Sequence, residues 1–357
     1  MKLRTVMMFV LALGIGNFAY AESPIIIKFS HVVAPDTPKG RAAEKFKQLA
    51  EQMTQGKIKV EIYPNSQLYK DREEIEALQS GAVQMLAPSM AKFGPMGARE
   101  FELFDLPFLF PNQEVLHRVM DGEVGKTLAA KLDSKGVTVL AFWDNGFKQM
   151  SSNKPMHGVA DLSGLKMRIQ SSKVLGAQMK ALGANPQVMA FSEVYTALQQ
   201  GVVDGTENPV SNFYTQKMHE VQKHMTMSNH GYLGYTVIVN KMFWDGLPAD
   251  VRSALTQAMK EATAFERDIA QRDNDDSLAK VIAAKTTTVY ELTPAEHIEW
   301  QKVLLPVHKE FESVIGADLI QSVNTIADQY AKEQAAAKEQ AKAKPKAKSK
   351  AKAADKK

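Results

Sequence analysis

The run Pro24-Ile25-Ile26-Ile27-Lys28-Phe29-Ser30-His31-Val32-Val33 is apolar and rich in β-branched residues, the pattern of a buried strand. Thr37-Pro38 follows, with Thr suited to an N-cap and Pro to the first helical position. Ala42, Ala43, Phe46, Leu49, Ala50 and Met53 then recur at helical spacing and make one apolar face. Ile58–Tyr63 reads as the next strand, ended by Pro64-Asn65. Residues 71–79 read as a helix closed by Gly81, and 83–87 as a third strand. This β-α-β-α-β order predicts an α/β fold with a largely parallel sheet. Two turns, 34–40 and 88–97, then fall at the carboxyl ends of strands, where open α/β sheets bind ligands.

A second unit begins after 137–143. Residues 165–170 read as a strand, 173–182 as a helix and 186–190 as a strand. Next comes a helix over 192–200, with Ser192 at its N-cap and Gly201 just past its end. Residues 235–240 are again a strand. From 249 to about 285 there is neither Gly nor Pro, which predicts one helix of roughly 35 residues, about 50 Å long. That exceeds the face of one domain, so it should bridge two. Residues 294–314 and 317–330 read as closing helices.

The chain has 357 residues, more than one core normally serves. Apolar residues make up 45% and charged residues 24%, an ordinary globular composition. Cysteine is absent, which excludes thiolate nucleophiles, Cys-ligated zinc, iron–sulfur clusters and disulfides. The net charge of +4 hides an asymmetry. Residues 331–357 carry ten Lys against Glu333, Glu339 and Asp355, a balance of +7, and the first 21 residues add +2. The body, 22–330, is therefore at −5, and no nucleic-acid partner is expected. The Lys/Ala-rich segment 331–357 should extend the preceding helix at first and become a solvated, disordered tail beyond Pro345.

Lys2 and Arg4, an apolar run over 6–13 and Ala19-Tyr20-Ala21 have the form of a cleaved export signal, residues 1–21. The run is too short for a membrane span, which needs roughly 20 apolar residues.

Motifs for catalysis are missing: there is no G-x-S-x-G elbow, Walker loop or H-E-x-x-H. Asp273-Asn274-Asp275-Asp276 starts like a calcium loop, but Leu278 and Ala284 stand where Gly and Glu are required. The eight histidines form no i,i+4 pair, so neither a metal nor a cofactor is expected. Asp71 and Glu74 suit the first turn of a helix. What stands out is a set of cations and amides near strand ends: Lys148, Arg168 and Asn208. Arg168 lies inside the largely apolar Leu165-Lys166-Met167-Arg168-Ile169, where burial is costly unless an anion meets it. A structural salt bridge and an anionic ligand both satisfy that condition. Asn208 suits turn chemistry or an N-cap.

Three longer runs carry a resemblance. They are Asp161-Leu162-Ser163-Gly164-Leu165-Lys166-Met167-Arg168, Met189-Ala190-Phe191-Ser192-Glu193-Val194-Tyr195, and Ala197-Leu198-Gln199-Gln200-Gly201-Val202-Val203-Asp204-Gly205-Thr206-Glu207-Asn208-Pro209. In order and spacing they resemble the periplasmic solute-binding subunit of tripartite ATP-independent periplasmic (TRAP) transporters. The similarity extends over roughly 24–330 and leaves the basic tail outside. It implies a two-lobed α/β periplasmic binding protein with crossing strands and a long bridging helix. Lobe I would comprise 22–145 plus 236–273, and lobe II 146–235 plus 274–330. It further implies that Arg168 pairs bidentately with a ligand carboxylate, that the Asn208 amide contacts the same carboxylate, and that Phe191 and Tyr235 line the pocket.

Where the sialic-acid-binding branch has a second Arg, this chain has Lys148, a point charge without the planar fork. Trp143-Asp144-Asn145-Gly146-Phe147-Lys148-Gln149, Thr37-Pro38-Lys39-Gly40 and Leu86-Ala87-Pro88-Ser89 are instead similar to the four-carbon dicarboxylate (DctP-type) branch. Malate, succinate and fumarate are the ligands implied. A dianion needs a partner at each end. Arg168 and Lys148 supply one, and Lys39, Lys70, Lys92 and Ser89 are the candidates for the other. The expected mechanism is capture by domain closure and delivery to a TRAP-type membrane permease, by a periplasmic monomer without catalysis. The alternatives are a 2-oxo, aromatic or sugar acid as ligand, a ligand-presenting sensor partner, or an enzyme using Glu207 or Asp204 as base.

Overall fold

The computed structural model describes residues 23–71 and 73–354, with side chains described as far as Glu339. The export signal read over 1–21 lies outside the described residues. The chain opens with β1 (Ile25–Ser30), α1 (Pro38–Met53), β2 (Ile58–Tyr63), α2 (Glu74–Gln79) and β3 (Met85–Leu86). β1 pairs in parallel with both β2 and β3. The Thr37 hydroxyl caps α1 by accepting from the Gly40 N–H at 3.1 Å, with Pro38 in the first turn. Ala42, Ala43, Phe46, Leu49 and Ala50 are buried, as their spacing predicts, against Ile27, Phe29 and Val60.

A pair of helices, α3 (Gln113–Asp121) and α4 (Glu123–Asp133), leads into β4 (Val137–Ser152). The second unit contains β5 (Lys166–Ile169), α5 (Lys173–Ala181), β6 (Asn185–Val188), α6 (Val194–Gln199), β7 (Gly205–Asn208) and α7 (Val210–Thr215). Ser192 does not cap α6. Residues Phe191–Glu193 first make a 3₁₀ turn, and the helix begins one turn later without a side-chain cap. Then come β8 (His224–Asn240), α8 (Lys241–Asp245), α9 (Ala249–Ala284), β9 (Thr288–Glu291), α10 (Pro294–Leu304), α11 (Pro306–Ile315) and α12 (Ala317–Ala354).

Among the described residues these strands form one nine-stranded sheet, ordered β2-β1-β3-β8-β4-β7-β5-β6 with β9 beside β8. It is mixed rather than largely parallel. Each unit is parallel within itself, but β4 and β8 run antiparallel through the middle and stitch the two together. Their pairing shifts register at three places, including Asp144/Gly146 and Lys148/Met150, so the crossing strands bend between the units. The 36-residue α9 lies along this crossing. Trp143 Nε1 donates to Thr263 at 2.9 Å, the Asp144 N–H to Glu266 at 2.9 Å, and Asn274 Nδ2 to the Asn145 carbonyl at 2.6 Å. The acidic run 273–276 is thus part of this helix, and Asp273 holds Arg41 at 2.8 Å.

α12 runs through the segment expected to lose structure beyond Pro345. Ala, Lys, Gln and Glu are strong helix formers, and their sum over the segment favours continuation against the cost of a single proline.

Candidate functional site

The turn after β3, the loop before α2 and the carboxyl ends of β5, β6 and β7 face one another across the bend. Two adjoining cavities lie between them, of about 460 Å³ and about 10 Å³, and they share Asp71, Lys92 and Gln170. Arg168, Met189 and Ala190 line the larger one. Ser89, Phe191, Asn208, Asn212 and Tyr235 line the smaller, which has room for about one water molecule.

Arg168 is only 2% exposed. Its Nε and Nη2 both donate to the Met189 carbonyl, at 3.1 and 2.9 Å, and its guanidinium sits 5.6 Å from the Phe191 ring centroid. Among the described residues no carboxylate comes within 4 Å of it, so the structural salt bridge left open by the sequence is not made. Burial lowers its pKa against the opposing fields of Asp71 and Glu207. A desolvated cation held by one neutral carbonyl is poised to accept an anion.

Asn208 closes β7. Its Nδ2 donates to Thr206 Oγ1 at 3.3 Å, while its buried Oδ1 has no hydrogen-bond partner among the described residues. The Tyr235 hydroxyl is bonded to Asn145 and lies 3.3 Å from Asn212 Nδ2, and burial pushes its pKa up. Ser89 forms a single β-bridge to Tyr235. Lys92 is ion-paired with both Asp71 and Glu74; burial alone would lower its pKa, and these two carboxylates raise it instead. The structure therefore gathers Arg168, Asn208, Phe191, Tyr235, Ser89 and Lys92.

Three expected contacts stand elsewhere. Lys148 is fully buried and spent on Glu207, 2.8 Å from Nζ to Oε1. The other oxygen of Glu207 meets His230 at 2.9 Å. Burial would raise the pKa of Glu207, but Lys148 and His230 outweigh it and hold the group at about 2. Lys148 thus supports β7 from behind, and Glu207 is no free base. Asp204 is likewise occupied, accepting the Lys166 N–H at 2.8 Å. Lys39 lies under the site, donating to the Ala87 carbonyl at 2.9 Å with its ammonium 3.7 Å from the Tyr235 ring centroid. Burial, and then Lys92, pull its pKa down to about 7. Lys70 is at the surface, paired with Glu193 at 3.1 Å.

Asp71 was not singled out as a site residue. It precedes α2 instead of filling its first turn, and it accepts from the Phe191 N–H across the cleft as well as from Lys92. Burial opposes its ionisation, but Lys92 and the Phe191 N–H bring its pKa to about 2. Its position before a helix masked it; the one available signal was an acidic run between two cation-bearing turns. No group of three or more metal-ligating side chains occurs among the described residues.

Residues 29–314 match the family model DctP, bacterial extracellular solute-binding protein, family 7. The chain is 64% identical over 313 residues to the C4-dicarboxylate-binding periplasmic protein DctP of Rhodobacter capsulatus, covering 88% of this chain and 94% of that protein. A TRAP periplasmic solute-binding protein of Sulfurospirillum deleyianum, solved with bound succinate, superposes with a TM-score of 0.82 at 49% identity over 84% of this chain and 98% of its own. One from Pseudomonas aeruginosa with bound L-malate superposes with a TM-score of 0.78 at 41% identity, over 80% and 100% of the two chains. The chain belongs to the DctP family of periplasmic solute-binding proteins, non-catalytic subunits of TRAP transporters.

Proposed function

We propose that this protein captures four-carbon dicarboxylates such as malate, succinate and fumarate in the cleft, and delivers them to a TRAP-type membrane permease. The observation that carries the reading is Arg168: a buried guanidinium at the cleft, bound to one carbonyl, with no carboxylate of the described residues within 4 Å. One ligand carboxylate takes the fork of Arg168 and the Asn208 amide, with Phe191 stacked beside them. The other end meets Ser89 and Lys92 from the opposite side, with Tyr235 between. Relatives at 64%, 49% and 41% identity whose names or bound ligands are C4-dicarboxylates support that choice of ligand.

The lobes are 22–145 plus 236–273 and 146–235 plus 274–330, which place Ser89 and Lys92 on one side and Arg168 and Asn208 on the other. The cavity of about 460 Å³ beside Arg168 runs on into the inner one of about 10 Å³, and in the proposed cycle the lobes open to admit the ligand and close over it. Closure is driven by the tighter binding of the ligand to the closed form. The mature chain starts at Glu22 after removal of 1–21 and acts as a monomer.

Calorimetric titration of the mature chain with malate, succinate, fumarate, 2-oxoglutarate and sialic acid tests this, with Arg168→Ala in parallel. Heat with the four-carbon acids, lost in the variant, is the expected result. No heat with any acid, from folded and ligand-free protein, contradicts the assignment.

A further inference from the structure

The charge asymmetry of the chain is not explained by ligand capture. The family match ends at residue 314, and the cleft uses nothing beyond it. α12 packs on α3 through Val323, which is buried with Val115, Leu116 and Val119. Among the described side chains its last ties to the body are to Arg118, 5.1 Å from the Tyr330 ring centroid and 2.8 Å from Glu333. Residues 331–339 are exposed, and the helix continues to Ala354. A 38-residue helix is about 57 Å long, so its second half reaches well past the helix it packs on.

The sequence of that half is Lys342, Lys344, Lys346, Lys348, Lys350 and Lys352 with Ala, Pro and Ser between them, and no acidic residue from 340 to 354. Between the lysines stand only Ala, Pro and Ser, so the segment carries no large apolar side chain. Such a segment has no large apolar group to fill a pocket on a fitted protein site and none to insert among acyl chains. It contains no Arg for bidentate phosphate contacts and no aromatic for stacking on bases. What it matches is a diffuse anionic surface that demands no register. A body at −5 would be repelled by that same surface, and a segment at +7 reverses the sign locally.

We infer that 340–354 is a polybasic tether that holds the protein against an anionic phospholipid surface. The inference does not depend on which solute the cleft binds.

Flotation of the full mature chain with phosphatidylcholine vesicles, with and without 30% phosphatidylglycerol, tests it. The comparison variant replaces the six lysines 342–352 by Gln, which keeps helix propensity, and its melting temperature should match the parent. At low salt the parent should partition at least tenfold more onto the anionic vesicles than onto neutral ones. The Gln variant and 0.5 M salt should each remove that excess. Equal partition of parent and variant, or no preference for the anionic vesicles, overturns the inference. So does release of the parent by poly-glutamate at a far lower charge concentration than the lipid, which would indicate an acidic protein partner.

Discussion

Burying a guanidinium in an apolar strand is costly, and Arg168 recovers only two hydrogen bonds to a neutral carbonyl. On the proposed reading, a ligand carboxylate that completes the fork offsets that cost. Arg168→Ala should therefore weaken dicarboxylate binding by about 3 kcal/mol, roughly 100-fold. Arg168→Lys, which keeps charge but not the fork, should lose roughly tenfold. Equal affinity of the Lys variant and the parent by calorimetry would mean that charge alone is recognised. Lys148 makes the opposite case. Its partner Glu207 is also buried, so Lys148→Met leaves that carboxylate with His230 alone and should cost about 3 kcal/mol in urea denaturation. The double variant Lys148→Met, Glu207→Gln should regain most of that. A direct ligand role for Lys148 would instead show as lost binding at unchanged stability. Arg168 was legible because its apolar neighbours are adjacent in sequence. The Glu207 partner of Lys148 was not legible, because it lies 59 positions away.

Elements with local signals were read correctly. α9 follows from a stretch without Gly or Pro, and α1 from its cap and apolar spacing. The antiparallel crossing by β4 and β8 was not visible, because their register is set by pairing between strands nearly 90 residues apart. The bend in β4 has a local price. Gly146 has φ near +150°, and a Cβ there would come within 2.8 Å of Asn274 Nδ2. Gly146→Ala should destabilise the fold by about 1–3 kcal/mol, and Asn274→Ala in that background should relieve the steric part. Equal stability of Gly146→Ala and the parent on thermal melting would show that the bend tolerates a side chain.

The turn leading to α3 and the start of α5 meet at Asp105, whose carbonyl accepts from Gln178 at 2.5 Å. Burial raises the Asp105 pKa to about 7, despite the Lys148 field and a bond from Ser172. An unfolded aspartate ionises near 4, so between about pH 4 and 7 the folded chain holds a proton that the unfolded chain lacks. Asp105 therefore lowers stability as pH rises through that window. Asp105→Asn removes the effect, and its stability relative to the parent should improve by about 1–3 kcal/mol from pH 5 to pH 8. A pH-independent difference in urea midpoints would rule this out.

At the scale of the whole molecule, two parallel units share one sheet through two crossing strands, and the cleft falls where the strands bend. Each unit lines the cleft, with Ser89 and Lys92 from one and Arg168 and Asn208 from the other. On the proposed reading, such a division recognises a ligand charged at both ends. The resemblance already pointed to Arg168 and Asn208, whereas the share of Asp71 in both cavities needed the fold, since only the packing of the two units against each other brings it to Phe191. The most direct test is a comparison of succinate with butyrate, which has the same four carbons and one carboxylate fewer, by competition for the cleft. Recognition at both ends predicts that succinate binds at least about 100-fold more tightly. Affinities within about threefold of each other would contradict it, because the second lobe's partner would then be contributing nothing to the choice of ligand.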